Sequence, residues 1–130
     1  MPKYNEKADT PKSFKPGIFV DFSKIDDESI PDEVIKKLKD NLEALLDKNV
    51  EEFKAGLLEG HDTEGNMGYI LDENQYRFTD IAEAKYFPDN NSIMISLSVQ
   101  RLREGQVDDG SITYYFNLDK AGEWKIVLID

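Results

Sequence analysis

The 130-residue chain has no cysteine and a single histidine, His61. Thiolate nucleophiles, disulfides and thiolate metal sites are therefore ruled out, and imidazole chemistry rests on one side chain. What remains is oxygen chemistry. Its densest cluster is Asp62-Thr-Glu64-Gly-Asn66-Met-Gly68-Tyr-Ile-Leu-Asp72-Glu73, where Asp62, Glu64 and Asn66 stand at alternate positions and Glu73 occupies the twelfth. Oxygen donors in that order suit a hard cation such as calcium. A second set is defined by alternation: Met94, Ser96, Ser98 and Gln100 in one run, Thr113 and Tyr115 in another. Small hydroxyls with two apolar points are the chemistry of contact rather than of catalysis.

The spacing of the first cluster resembles the EF-hand calcium loop. It departs at the sixth place, where Met67 replaces the turn glycine and Gly68 arrives one residue late. No amphipathic exit helix follows. Residues 59–75 are expected to form a long, acidic, glycine-rich surface loop. Asp62, Glu64, Asn66 and Glu73 would be its ligands if it held calcium weakly. No motif implies a cofactor.

Positioning either set requires a core. The chain is 39% hydrophobic and 33% charged, with 7 Phe, 6 Tyr and 1 Trp, which is enough for one domain. Its 16 Lys+Arg against 27 Asp+Glu give a net charge of −11. That field repels phosphate backbones and anionic lipid surfaces, so nucleic acid is excluded as a partner. No apolar run is long enough to span a membrane. Residues 1–16 carry four Lys and two acids. They read as a flexible basic tail ahead of a single domain over 17–130.

The period of the apolar residues then gives the elements. Gly17-Ile-Phe-Val-Asp-Phe22 is an edge strand or extended strap. Ser29 is the expected helix N-cap, with Pro31, Asp32 and Glu33 in the first turn. Val34, Ile35, Leu38, Leu42, Leu45 and Leu46 form one helical stripe. A second helix is expected over about 49–58, stopped by Gly60. Beyond residue 75 the period becomes two. Strands are expected over 79–87, 92–102, 111–118 and 123–129, with 104–110 as a loop. Ile93, Ile95, Leu97, Val99, Ile112, Tyr114, Phe116, Leu118, Trp124, Ile126 and Leu128 should face inward, Trp124 against Leu42 or Leu45. The fold class is α+β: a helix–kink–helix packed on a curved, four-stranded antiparallel meander.

Particular stretches carry a family resemblance. Asn41-Leu-Glu-Ala-Leu-Leu-Asp-Lys-Asn-Val-Glu-Glu-Phe53 resembles the helix–kink–helix opening of nuclear transport factor 2-like, or cystatin-like roll, domains. Ile81-Ala-Glu-Ala-Lys-Tyr86, Ser92-Ile-Met-Ile-Ser-Leu97, Thr113-Tyr-Tyr-Phe-Asn-Leu118 and Gly122-Glu-Trp-Lys-Ile-Val127 resemble its strands. The closing Gly-x-Trp-Lys-Ile is similar to that of small secreted Gram-positive lipoproteins with this roll. The resemblance spans roughly residues 30–130 and implies an extracytoplasmic cell-surface module with a lipid tether upstream. Enzymes of this roll imply a carboxylate base of raised pKa in a dry cone between helix and sheet. The residues here that would serve are Asp80, Tyr76, Tyr86, Tyr114 and His61.

The first functional expectation is a non-enzymatic accessory module. It would bind a protein of the cell envelope through the sheet face of Met94, Ser96, Ser98, Gln100, Thr113 and Tyr115. A homodimer through the sheet is a further expectation. The alternative is a small-molecule binder or isomerase-like enzyme using the cone. It fails if Ile93, Ile95, Leu97, Tyr114, Phe116, Trp124 and Ile126 fill that space. A third is an acidic inhibitory or immunity protein that masks a basic partner.

Overall fold

The computed structural model describes residues 13–130. Most of the expected basic tail, residues 1–12, lies outside them. The longest helix, α1 (Asp32–Asp47), buries Val34, Leu38, Leu42 and Leu45 completely, as the spacing of three and four requires. Its N-cap is Pro31 and makes no side-chain cap. Ser29 does not cap it, because the helix begins two residues too late and Ser29 lies in the preceding turn, where the Asp27 carboxylate accepts its N–H (2.8 Å). The helix stops where Lys48 enters the left-handed region (φ 55°). Asn49 then caps α2 (Val50–Ala55) by accepting the Glu52 N–H (3.2 Å). This second helix ends well before Gly60. Beyond Gly56 the chain extends, and Leu57 bridges in parallel to Ile126.

The segment expected as a loop holds a helix, α3 (Glu64–Leu71), capped by the Thr63 hydroxyl. Gly65, Asn66 and Gly68 are poor helix formers. Burial of Met67 and Ile70 against the core outweighs them.

The sheet has five strands rather than four: β1 (Gly17–Ile18), β2 (Gln75–Phe87), β3 (Ser92–Arg103), β4 (Gln106–Leu118) and β5 (Trp124–Ile129), in spatial order β1-β2-β3-β4-β5. It is mixed, since β1 runs parallel to β2 and the other pairs are antiparallel. The expected loop at 104–110 is instead a two-residue turn, Glu104-Gly105, with φ of 51° and 78°. Two successive positive φ values define a type I′ hairpin, which matches the twist of its strands. Asp108 and Asp109, which look like loop residues, belong to the strand. Asp108 is held there by Arg101 (3.2 Å) and Arg103 (3.5 Å).

The inward set on β3 and β4 is as expected as far as Phe116. At β5 the parity breaks. Tyr115 pairs with Leu128 but Phe116 pairs with Ile126, so Val127 is an extra, bulged residue. Ile129 is buried in place of Leu128, which is 46% exposed. Leu118 also lies at the surface. Trp124 is buried, and its backbone N–H donates to the Glu33 carboxylate of α1 (3.2 Å).

Candidate functional site

The cone between α1 and the sheet is filled. Ile93, Ile95, Leu97, Tyr114, Phe116 and Ile126 have no exposure, and Trp124 is buried with them. At the centre the Tyr114 hydroxyl donates to Asn41 Oδ1 (2.7 Å), and Asn41 Nδ2 donates to the Phe53 carbonyl (3.2 Å). Burial pushes the Tyr114 phenol far above its ordinary value. It is a satisfied structural hydrogen bond, with no solvent path for a reactant.

The other residues expected in an enzymatic cone are not brought together. Asp80 sits on the outer face opposite Ser98, half exposed, and is ion-paired to Lys24 (2.9 Å). That hydrogen bond, and the one from the Ile81 N–H, hold its carboxyl below the ordinary range, the reverse of what a base in a dry pocket needs. Tyr86 donates to Asn91 at the β2–β3 turn. His61 lies beside β5, where its Nδ1–H donates to the Val127 carbonyl (3.0 Å).

Tyr76 is at the mouth of the roll, and its hydroxyl donates to Asp72 (2.6 Å). Burial first, then that bond, push its phenol up. Asp72 also accepts from Asn74 (2.9 and 3.1 Å) and Lys48 (3.3 Å). This network rims a half-open cleft of about 530 Å³ floored by Leu45, Leu46 and Ile70.

The candidate calcium ligands are separated by the fold. Asn66 is buried in α3, and its amide ties β5 to the loop ahead of the helix. Nδ2 donates to the carbonyls of His61 (2.8 Å) and Val127 (3.2 Å), and Oδ1 accepts the Ile129 N–H (2.9 Å). Asn66 therefore occupies the strand edge as a neighbouring peptide group would, and holds the bulge in place. Asp62 pairs with Lys54 (3.4 Å), and Glu64 and Glu73 lie exposed at opposite ends of the helical segment. Among the described residues no group of three or more acids or histidines is placed to hold a metal ion.

The sheet-face residues are the set the fold does assemble. Met94 stands directly opposite Tyr115, and Ser96 opposite Thr113. Ser98 faces Ser111, and Gln100 faces Asp109 with an amide-to-carboxylate bond of 3.2 Å. The Ser96 and Thr113 hydroxyls bond each other at 2.9 Å. Lys85 and Leu128 extend the Met94–Tyr115 pair into one row across four strands. Leu128 escapes sequence reasoning because simple alternation buries it, and nothing in β5 alone signals the bulge.

No family model matches the chain, and no curated protein matches it. Solved structures do. One is a nuclear transport factor 2-like protein of unknown function from Shewanella oneidensis, with a TM-score of 0.56 at 16% identity, covering 75% of this chain and 94% of that one. A second, whose name also carries the nuclear transport factor 2 label, has a TM-score of 0.54 at 11% identity over 76% of this chain and 96% of that one. The chain has the nuclear transport factor 2-like fold. A protein from Catenulispora acidiphila is a further match, at a TM-score of 0.50 and 12% identity, over 76% of this chain and 88% of that one. Likeness at these identities is a likeness of fold. Within this fold, the filled cone and the assembled outer row are properties of this chain's own side chains.

Proposed function

We propose that the protein is a non-catalytic binding module that engages a protein partner through the outer face of its sheet. The observation that carries this is the row Lys85, Met94, Tyr115 and Leu128 on an otherwise acidic domain. Covering Met94, Tyr115 and Leu128 desolvates no charge. The neighbouring Ser96 and Thr113 hydroxyls bond each other, so one of their two O–H donors is already met within the sheet and the other is left for the partner to accept. Cover of this kind is favourable at about 25 cal/mol per Å² of apolar area removed from water. The partner is a protein of the cell envelope met outside the cytoplasm, with the module held by a lipid tether. The similarity of Gly122-Glu-Trp-Lys-Ile126 to surface lipoproteins supports that setting.

A photo-crosslinking residue at Tyr115, introduced in cells, should give a discrete adduct with one envelope protein. A crosslinker at Glu43, on the far side of α1, should not. Met94→Asp should remove the adduct. Equal yields from both positions, or indifference to Met94→Asp, would sink the reading. Membrane fractionation with added protease tests the location, since an intact cell should expose the module.

One observation favours a second reading. The cleft rimmed by Lys48, Asp72 and Tyr76 has the volume of a small-molecule site. A ligand seated there would raise the melting temperature in a compound screen, and Lys48→Glu would abolish the rise.

A further inference from the structure

β3 covers one edge of β2 along its length, whereas β1 covers only Arg77 and Phe78 on the other. The type I′ turn sets which groups face which way. It closes Arg103 and Gln106 as a hydrogen-bonded pair, so odd-numbered β3 residues bond β4 and even-numbered ones bond β2. Glu83, Lys85 and Phe87, opposite Ser96, Met94 and Ser92, therefore direct their backbone groups at β3. Ala84 and Tyr86 direct theirs at the free edge. Phe78 belongs to the same set, and its carbonyl accepts the Phe19 N–H of the β1 segment at 2.8 Å.

The open stretch has defined ends. At one, the Ile81 N–H is taken by the Asp80 carboxylate (2.9 Å), which Lys24 in turn holds. At the other, Pro88 has no N–H to offer. Between them Ala82 is a bulge residue with no partner on β3. Among the described residues no backbone bond from outside the sheet reaches 82–87.

Natural proteins blunt such edges, and a lysine or a bulge is a usual means. Here the lysine is answered by the strand itself. Two copies placed antiparallel about a twofold axis through Ala84 put Glu83 opposite the second copy's Lys85, and Lys85 opposite its Glu83. Ala82 and Tyr86 face each other twice in the same way. Glu83 and Lys85 both lie on the outer face, opposite Ser96 and Met94, so the charges meet on one side of the joined sheet. Among the described residues neither has an ion-pair partner of its own, and the Lys85 ammonium stands 5.2 Å over the Phe87 ring, a contact that leaves it free to meet a carboxylate as well. A twofold pairing satisfies each charge with one self-complementary register, which an unrelated strand has no reason to match.

We propose that the protein forms a twofold dimer by antiparallel pairing of β2 with β2 of a second copy over Ala82–Tyr86, making one continuous sheet through both. Met94, Tyr115 and Leu128 stay open in this dimer and only Lys85 is shared with the partner row, so self-association read by sedimentation and the Tyr115 crosslink read in cells can fail separately.

Sedimentation of the full chain between about 10 μM and 1 mM should show a reversible monomer–dimer equilibrium. Glu83→Lys and Lys85→Glu should each weaken it by at least about tenfold, because two opposite-charge pairs become two like-charge pairs. The decisive measurement is the mixture of the two variants. Each new lysine then meets a glutamate of the other chain, and heterodimer should form with near wild-type affinity. Circular dichroism confirms that both variants are folded. A wild type that stays monomeric, variants that dimerise unchanged, a mixture that fails to pair, or a foreign strand captured in preference to a second copy would each overturn the proposal.

Discussion

Asn66 offers the sharpest test of how this domain is held together. The sequence places it among oxygen ligands, whereas the fold commits its amide to three backbone bonds, and it is 2% exposed. In Asn66→Ala the Ile129 N–H loses its acceptor in a buried place, which costs about 1–3 kcal/mol. The Val127 carbonyl keeps its bond from His61, so its loss is partial. With a small term for the vacated volume, a total of roughly 2–4 kcal/mol is expected.

Asn66→Asp isolates the chemistry, because it keeps the shape. An ionised carboxylate there points one oxygen at the carbonyls of His61 and Val127. Burial and those carbonyls raise its folded-state pKa above the unfolded value near 4. The sign follows: a group whose folded pKa is raised keeps its stability below the unfolded pKa and loses it as pH rises through the folded one. The protonated acid restores an O–H donor, so the deficit against wild type should shrink as pH falls from 7 to about 4. Urea unfolding of wild type and both variants, followed by circular dichroism at several pH values, measures this. An alanine cost under about 1 kcal/mol, or an aspartate deficit indifferent to pH, would refute the reasoning. Calcium should rescue neither variant.

Trp124→Ala should cost roughly 3–5 kcal/mol by opening a cavity in the core, read from the same urea transitions. On β5, Leu128→Ala should stay within about 0.5 kcal/mol while Ile129→Ala costs about 2–4, the reverse of what unbroken alternation requires. Tyr114→Phe should lose about 1–3 kcal/mol, since it leaves the buried Asn41 Oδ1 without its donor; a neutral result would mean that water reaches the cone. Thermal melts of the wild type in millimolar calcium and in ionic-strength-matched sodium chloride should agree within about one degree, because loosely held ions only screen. A calcium-selective rise of several degrees would restore the cation reading.

The parts of this protein legible in the sequence are those whose signal is periodic and locally complete. The stripe from Val34 to Leu45 defines α1 because burial at every third or fourth residue leaves few alternatives. The alternation from Ile93 to Val99 and from Ile112 to Phe116 defines the inner and outer faces of β3 and β4. The parts decided by tertiary structure are those where a local preference is outweighed from a distance. α3 forms despite two glycines because Met67 and Ile70 have a core to enter and Asn66 has β5 to hold. The hairpin turn begins with Glu104, which does not announce a type I′ geometry, and the acids after it look like loop until Arg101 and Arg103 pair with Asp108. β1, expected as an edge strand or strap over 17–22, shortens to two residues and takes its parallel direction from the edge that β2 offers. The bulge at Val127 is clearest of all. Nothing in Trp124-Lys-Ile-Val-Leu-Ile129 marks one residue as extra; Asn66 and His61, some sixty positions earlier in the chain, fix which one it is and so bring Leu128 to the surface.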